Sequence, residues 1–285
     1  GTPTMGGLMF IIGIGIAILI LGWKGMLERN FTHLYVYVFA LVFGVIGYID
    51  DYQKVKHHQN TGLTAPQKFI LQLAAAVAFL CLMRYEGLLT NDLYIPFVNV
   101  TLTVNWIVYL IFAAFVIVGT VNAVNITDGL DGLSTSVTIP VAVFFSVMAI
   151  IWPGFAQLGT FSSAMLGGLC GFLVYNRYPA KVFMGDTGSL TIGGIIAVLA
   201  ICVRKELLLP LISGIFLVEA LSVMIQVSYF KYTKRKYGQG RRIFLMSPLH
   251  HHYQKKGLHE SKIVTRFWII SVFLAVLSIV TLKIR

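Results

Sequence analysis

The strongest constraint on this chain is a succession of apolar blocks, each long enough to cross a lipid bilayer as a helix. About 20 apolar residues suffice for one crossing. Of the 285 residues, 57% are hydrophobic and only 12% are charged, and the mean hydropathy is +0.82, so an ordinary soluble domain is excluded. The sequence therefore predicts an all-α polytopic membrane protein with a single integral-membrane domain over residues 1–285. Nine spans are predicted: 5–22, 34–49, 68–84, 105–121, 134–152, 160–176, 188–203, 208–230 and 263–283.

Basic residues are divided unequally between the two sets of connections that nine spans create. Fifteen lysines and arginines lie in or beside the connections 50–67, 122–133, 177–187 and 231–262, and seven lie on the other side. Because lysine and arginine collect in cytoplasmic loops, the first side is predicted to be cytoplasmic. This bias also accounts for the net charge of +11, so no nucleic-acid partner is expected.

Aspartates and histidines gather on the same predicted cytoplasmic side. It holds five of the six aspartates and six of the seven histidines, all except Asp92 and His33. Solvated loops would scatter acids over both sides. The one-sided distribution therefore favours a functional site where the spans meet the cytosol.

The segment YIDDYQKVK ends the second predicted span. On a helix, residues three or four apart share a face, so Lys54 can contact Asp50 or Asp51. Paired carboxylates beside a lysine suit a metal–phosphate site, in which the acids hold Mg²⁺ or take a proton and the lysine neutralises phosphate. The alternative is an ion pair at the membrane surface.

The segment GTVNAVNITDGLDGL places four polar residues at intervals of three: Asn122, Asn125, Asp128 and Asp131. If helical, they form one slowly drifting polar stripe. Gly129 and Gly132 predict that the helix breaks here and leaves backbone amides open to a ligand. The alternative is that one aspartate caps the next helix, which explains a single aspartate and not the whole row.

Two further motifs lie on this side. FMGDTGSLTIGG is a glycine-rich turn that leads into a span, where Asp186 is placed to bind a cation or a base edge; the alternative is a capped turn. SPLHHHYQKKG contains His250, His251 and His252. Consecutive histidines converge poorly on one zinc ion, so hydrogen bonding to phosphate or proton handling is favoured over a zinc-binding run.

Glu219 lies inside the predicted span 208–230. An acid within a membrane span is a functional candidate by default. A structural acid that is hydrogen-bonded to neighbouring helices is an equally good interpretation. The segment 85–104 is likewise open between a small hairpin, favoured by its alternating β-branched residues, and an irregular loop.

Five motifs occur in a fixed order between the spans: GTPTMGG at 1–7, DDYQK at 50–54, NAVNITDGLDGL at 122–133, FMGDTGSL at 183–190 and PLHHHYQKKG at 248–257. Together they closely resemble the phospho-MurNAc-pentapeptide transferase family, the bacterial translocase I of peptidoglycan synthesis. That family belongs to the polyprenyl-phosphate N-acetylhexosamine-1-phosphate transferase superfamily. The PLHHH and GTPTMGG segments favour the muramoyl branch over the GlcNAc-phosphate branch.

The resemblance implies transfer of phospho-MurNAc-pentapeptide from UDP-MurNAc-pentapeptide to undecaprenyl phosphate, giving lipid I and UMP, with Mg²⁺. It implies a multi-pass, lipid-embedded homodimer in the bacterial inner membrane, with its active site on the cytoplasmic face. The family is expected to have ten spans, so the nine predicted here suggest that the first span is missing and that the chain is truncated at its N-terminus.

Roles for individual residues are also implied by the resemblance. Asp186 is the expected Mg²⁺ ligand, and Asp50 and Asp51 are the expected catalytic pair. Two courses stay open: Asp50 as the base for direct attack by the lipid phosphate, or Asp128 as a covalent nucleophile. The implied phosphate contacts are Lys54, Asn125, Thr4, His250, His251 and His252. The implied uridine pocket comprises Asp131, Asn176 and Phe183, with the Phe183 ring stacked on uracil.

Other classes of function fit the pattern less well. A transporter predicts charges near the membrane midplane, where Glu219 alone lies. A scaffold that docks acidic partners through KYTKRKYGQGRR at 231–242 leaves the aspartates unexplained, and that run suits a membrane-surface loop near anionic lipid. Within the enzyme class, the alternative is a UDP-GlcNAc:polyprenyl-phosphate GlcNAc-1-phosphate transferase.

Overall fold

The computed structural model describes residues 2–57, 61–98, 100–152 and 154–283, which form twelve helices and one two-stranded sheet. His58, one of the histidines on the predicted cytoplasmic side, lies outside the described residues. The helices are α1 (Gly7–Leu21), α2 (Trp23–Leu27), α3 (Thr32–His57), α4 (Ala65–Tyr85), α5 (Trp106–Thr127), α6 (Leu133–Ile151), α7 (Ala156–Asn176), α8 (Gly185–Cys202), α9 (Leu209–Ile212), α10 (Gly214–Tyr237), α11 (Leu249–Lys255) and α12 (Glu260–Lys283). The strands are β1 (Asp92–Ile95) and β2 (Val100–Thr103).

Eight helices in the described part of the chain are long and apolar enough to cross a membrane: α3, α4, α5, α6, α7, α8, α10 and α12. The prediction of an all-α polytopic membrane protein is confirmed. The first predicted span, 5–22, corresponds to α1, which has 15 residues and is not among these eight helices. At 1.5 Å per residue it rises about 22 Å, less than the roughly 30 Å of a bilayer core. The helix ends at Leu21, and Gly22 is its C-cap.

Two helices extend well beyond the ends of their predicted apolar blocks. The block 34–49 continues to His57 as α3, and the block 105–121 continues to Thr127 as α5. Apolar composition marks the part of a helix that lies in lipid, whereas backbone hydrogen bonding continues into the polar interface. The DDYQK motif therefore lies on the last turns of α3, and Asn122 and Asn125 lie on the last turns of α5.

Helix α8 is the centre of the bundle and is largely buried among α1, α3 and α5. Small residues permit this close approach, as is typical of helix contacts in membranes. Gly193 packs on the backbone of Val121 in α5, and Gly194 faces the ring of Phe43 in α3. These contacts fix the start of α8, which carries Asp186, relative to the ends of α3 and α5.

The segment 85–104 contains a hairpin, one of the two alternatives left open by the sequence. Strands β1 and β2 are antiparallel, with Asp92 opposite Thr103 and Ile95 opposite Val100. The hairpin contacts the connection after α8, because an Arg204 guanidinium nitrogen lies 3.8 Å from a carboxylate oxygen of Asp92. Two connections of the predicted outer side thus meet at one end of the bundle.

Candidate active site

The carboxylate of Asp51 caps the beginning of α8. It accepts hydrogen bonds from the backbone N–H groups of Asp186 (3.1 Å) and Thr187 (2.9 Å) and from the Thr187 hydroxyl (2.8 Å). An anion at a helix N-terminus satisfies backbone donors and is favoured by the helix dipole. The end of α3 is thereby locked onto the start of α8, which brings the DDYQK and GDTGS motifs together.

Two carboxylates and two ammonium groups form a compact cluster beside this cap. Lys54 Nζ lies 2.6 Å from Asp50 Oδ2 and 3.0 Å from Asp186 Oδ2. Lys68 Nζ, from α4, lies 2.5 Å from Asp186 Oδ2 and 3.5 Å from Asp50 Oδ2. The predicted contact between Lys54 and the aspartate one turn earlier is confirmed, and Lys68 joins it from a different helix.

The two carboxylates of this cluster, together with Asp51, fit a divalent cation. Carboxylate oxygens of Asp50, Asp51 and Asp186 lie within 4.8 Å of one another, and carboxylate oxygens are the donors that Mg²⁺ prefers. The Asp186 side chain is 17% exposed, whereas that of Asp50 is 3% exposed. Of Asp50 and Asp186, Asp186 is therefore the residue that an ion entering from the cavity would meet first.

The polar side chains along α5 contact two different parts of the structure. Asn125 Nδ2 donates to Asp186 Oδ1 at 2.8 Å and to Ser189 Oγ at 2.9 Å. Asn122 instead donates to Gln72 of α4 at 2.7 Å and so turns away from the site. Only three members of the row line the cavity, because a helix of 3.6 residues per turn rotates a three-residue row gradually off one face.

The helix break predicted at the two glycines is present. Helix α5 ends at Thr127, and α6 begins after Gly132, whose φ of +72° is left-handed. No side-chain cap bond is found at this start of α6 within the described structure. The capping alternative for the two aspartates is thus not observed, and Asp131 instead accepts a hydrogen bond from Ala180 N at 2.8 Å.

These elements enclose a cavity of about 550 Å³. Its lining consists of Thr4, Asp51, Lys54, Asn125, Asp128, Gly129, Leu130, Asp131, Asn176, Phe183, Met184, Gly185, Asp186, Gln254 and Glu260. Nine of the predicted site residues are in this set. The four others lie outside it: Asp50, His250, His251 and His252.

Asp128 is half-buried in the cavity wall directly after α5. Burial raises the pKa of its carboxyl to about 7, and the negative charges of Asp186 and Asp51 act in the same direction. A carboxyl with a pKa near neutrality can both take and give a proton at physiological pH. Asp128 is therefore the cavity carboxyl best suited to proton transfer.

A network around Asn176 holds another part of the cavity lining. Its amide oxygen accepts from the Thr135 hydroxyl at 2.7 Å, and its amide nitrogen donates to Val182 O at 3.0 Å. The Phe183 ring next to this anchor is 43% exposed. A fixed, exposed aromatic face beside polar groups can stack on a planar base.

The three histidines lie on α11, beside the cavity. His250 is fully buried, with Nδ1 3.1 Å from Glu219 Oε2. His251 Nδ1 lies 2.7 Å from Gln254 Oε1, and His252 Nδ1 accepts from Leu245 N at 3.1 Å. The helix contributes Gln254 to the cavity lining.

Comparison with known proteins identifies the family. Residues 33–204 match the family model described as glycosyl transferase family 4. The phospho-N-acetylmuramoyl-pentapeptide-transferase of Clostridium acetobutylicum is 44% identical over 284 residues, which cover 99% of this chain and 85% of that protein. The chain belongs to this family. The same name is carried by relatives in Flavobacterium johnsoniae (41% identical, 100% of this chain and 83% of that protein) and Desulfosudis oleivorans (44%, 100% and 81%). The resemblance inferred from the five motifs is confirmed.

Sequence reasoning missed three polar residues at the site of this phospho-N-acetylmuramoyl-pentapeptide-transferase family member. Lys68 contacts Asp186, and Gln254 and Glu260 line the cavity. Glu260 Oε1 also accepts from Asp131 N at 2.6 Å. Glu260 carried a usable signal, since it is the sole acid in the long connection 231–262 that was predicted to be cytoplasmic. Lys68 carried none, because it begins a separate span.

Proposed function

We propose that this protein transfers phospho-MurNAc-pentapeptide from UDP-MurNAc-pentapeptide to undecaprenyl phosphate, forming lipid I and releasing UMP. The reaction takes place on the cytoplasmic face of the bacterial inner membrane and depends on Mg²⁺. The observation that carries the proposal is the cavity in which Asp128, Asp186, Lys54 and Asn125 converge in a chain whose relatives bear this enzyme's name. A soluble nucleotide and a membrane-bound acceptor require such a site at the end of a helical bundle.

The cavity offers separate places for the two halves of the nucleotide sugar. Phe183, Asp131 and Asn176 supply a uridine pocket. Lys54, Asn125 and Thr4, which line the same cavity, supply phosphate contacts. Asp186, with Asp50 and Asp51, would hold Mg²⁺, which when bound neutralises phosphate charge and favours departure of UMP.

For the chemical step, a phosphate oxygen of undecaprenyl phosphate attacks the sugar-linked phosphorus, and the bond from that phosphorus to UMP breaks. Asp128 is proposed as the group that accepts the proton of the attacking phosphate. The Asp128 carboxyl lines the cavity, whereas Asp50 is only 2% exposed and is held by Lys54 and by Leu63 N at 2.7 Å. This difference favours Asp128 over Asp50 as the base. A covalent course through Asp128 remains the alternative, distinguishable by trapping a phospho-enzyme.

A second cavity supports a polyprenyl acceptor. A largely apolar groove of about 320 Å³ lies between α5, α9 and α10 and is lined by Phe115, Phe216, Leu217, Leu221 and Met224, among others. It reaches Ala123, which lies two residues before Asn125 of the polar site. A hydrocarbon chain in this groove would place its phosphate end near the aspartates.

Other functions have less support. For a GlcNAc-1-phosphate transferase, the aspartate motifs fit equally, but the relatives are named for the muramoyl substrate. A transporter is disfavoured because Glu219, the acid within a predicted span, is paired with His250, whereas the acids of the cavity lie at helix ends. A scaffold protein would not require an enclosed polar cavity, so the cavity disfavours that function. A homodimer is also proposed, and cross-linking in native membranes would test it.

The deciding experiment is an assay of UMP release by detergent-purified protein. UDP-MurNAc-pentapeptide and undecaprenyl phosphate are supplied with Mg²⁺ or with EDTA, beside a parallel reaction with UDP-GlcNAc and an Asp186→Asn control. Mg²⁺-dependent release from the muramoyl substrate alone, lost in the variant, is the expected result. Release from UDP-GlcNAc instead would assign the sister branch. No release from folded, lipid-reconstituted protein would contradict the proposal.

A further inference from the structure

Glu219 and His250 form a fully buried pair that the proposed reaction does not explain. Both side chains have no solvent exposure, and His250 Nδ1 lies 3.1 Å from Glu219 Oε2. The backbone N–H of His250 also donates to the same carboxylate, at 3.2 Å to Oε1. A carboxylate inside a membrane span is costly to keep. The double contact fixes both the imidazole ring and the beginning of α11 on α10.

The second ring nitrogen of His250 faces the active-site cavity wall. Nε2 is buried and has no hydrogen-bond partner among the residues that the structure describes. It lies directly against Gly129, since a methyl group at position 129 would overlap it. Gly129 itself lines the cavity between Asp128 and Leu130. A buried ring nitrogen without a hydrogen-bond partner is uncommon. Here Nε2 packs against the turn that carries Asp128.

We propose that Glu219 is a positioning residue for the transfer reaction, acting through His250. Its carboxylate accepts the hydrogen on Nδ1, which holds the ring so that Nε2 remains under the Asp128–Leu130 turn. The inference rests on the proposed function, because its consequence is the correct placement of Asp128 toward the lipid phosphate. The carboxylate–imidazole arrangement is a common means of fixing the orientation and tautomer of a functional histidine.

The close contact with His250 explains why a glycine is needed at position 129. Any side chain there would displace the ring and break the bond to Glu219. The same turn also accommodates the nearby Gly132, whose left-handed φ of +72° provides the reversal into α6. The imidazole, the turn and the carboxylate thus form one packed unit that extends from the N-terminal part of α10 to the cavity.

Kinetics of Glu219→Gln test the proposal. The amide has the size of the carboxylate but lacks its charge, so we expect kcat to fall about 10- to 100-fold while KM for the nucleotide sugar stays nearly constant, since Phe183 and Asn176 are untouched. Glu219→Asp should recover part of kcat. Ser222→Ala is the matched control, because this buried hydroxyl lies one turn along α10 and, among the residues that the structure describes, donates to Glu219 O in its own helix.

Unchanged kcat in Glu219→Gln, or a rise in KM alone, would overturn the proposal. Thermal unfolding of each variant separates loss of positioning from loss of fold. A second measurement needs no turnover: ¹⁵N-histidine NMR of the parent protein, with His250→Gln to assign the resonance. We expect hydrogen on Nδ1 of His250. A ring protonated on Nε2 alone would refute the pairing, even if the transfer reaction were a different one.

Discussion

The ring of Phe183 is 43% exposed in a cavity lined mainly by polar side chains. Stacking of a base on such a ring contributes about 1–3 kcal/mol, so Phe183→Ala should weaken UMP binding by roughly 5- to 150-fold. Phe183→Tyr keeps the aromatic face and should bind almost normally. Titration calorimetry measures both, with Tyr175→Ala as control, since Tyr175 is 46% exposed but does not line the cavity. Equal losses in the alanine variants would argue against stacking.

Asp128 makes stability depend on pH. Burial raises the pKa of its carboxyl from 3.8 to about 7, so the folded protein holds a proton that the unfolded chain releases between these values. Stability from this group therefore falls as pH rises from about 4 to 7. Asp128→Asn removes the effect. In EDTA, the unfolding midpoint of Asp128→Asn should exceed that of the parent at pH 8, by about 2–4 °C for each kcal/mol of the effect, and match it near pH 4. A constant difference across this range would contradict the assignment.

At the residue scale, the sequence identified most of the cavity lining but not its arrangement. Adjacent residues on a helix point in directions about 100° apart, so Asp50 and Asp51 meet different neighbours, and spacing alone does not decide which ones. The fold turns Asp51 onto the start of α8 and Asp50 onto two lysines. Lys68 reaches the site because α4 packs beside α5 and α3, which no local pattern encodes.

At the scale of elements, the contact between α3 and α8 sets the geometry of the acids. Gly47 packs against the backbone of Asp186 and Thr187, where a methyl group would overlap the Asp186 carbonyl oxygen. Gly47→Ala should therefore destabilise the fold by about 1–3 kcal/mol and displace Asp186. Gly13→Ala in α1 is the control, since no atom of the described residues lies within 4 Å of an added methyl group there. A lower thermal midpoint for the first variant alone is expected; equal midpoints would contradict the close packing.

The membrane-spanning helices were predictable because the length of an apolar block indicates whether it can cross a membrane. Their ends were not, because helical hydrogen bonding in α3 and α5 continues through the polar motifs to His57 and Thr127. The break at Gly132 could be anticipated, since its left-handed backbone is one that glycine adopts without strain. The hairpin of β1 and β2 stayed open because eight short-strand residues carry too weak a pattern.

At the scale of the whole molecule, the four connections predicted to be cytoplasmic meet at one end of the bundle. Lys54 joins 50–67 to Asp186 of 177–187. Asp131 of 122–133 contacts both Ala180 and Glu260. The distribution of lysine and arginine assigns these four connections to one side of the membrane, and the fold brings the same four connections together.

This sorting leads to a prediction about orientation. Because fifteen of the 22 lysines and arginines belong to the active-site side, that side should face the cytosol. Single cysteines at the exposed positions Lys181→Cys and Thr101→Cys, in a background without Cys81, Cys170 and Cys202, test it. In intact bacteria whose outer barrier is permeabilised, a membrane-impermeant maleimide should label position 101 and spare position 181, and lysis should expose both. The reverse pattern would place the aspartates outside, where no nucleotide sugar is available, and would contradict both the orientation and the proposed transfer.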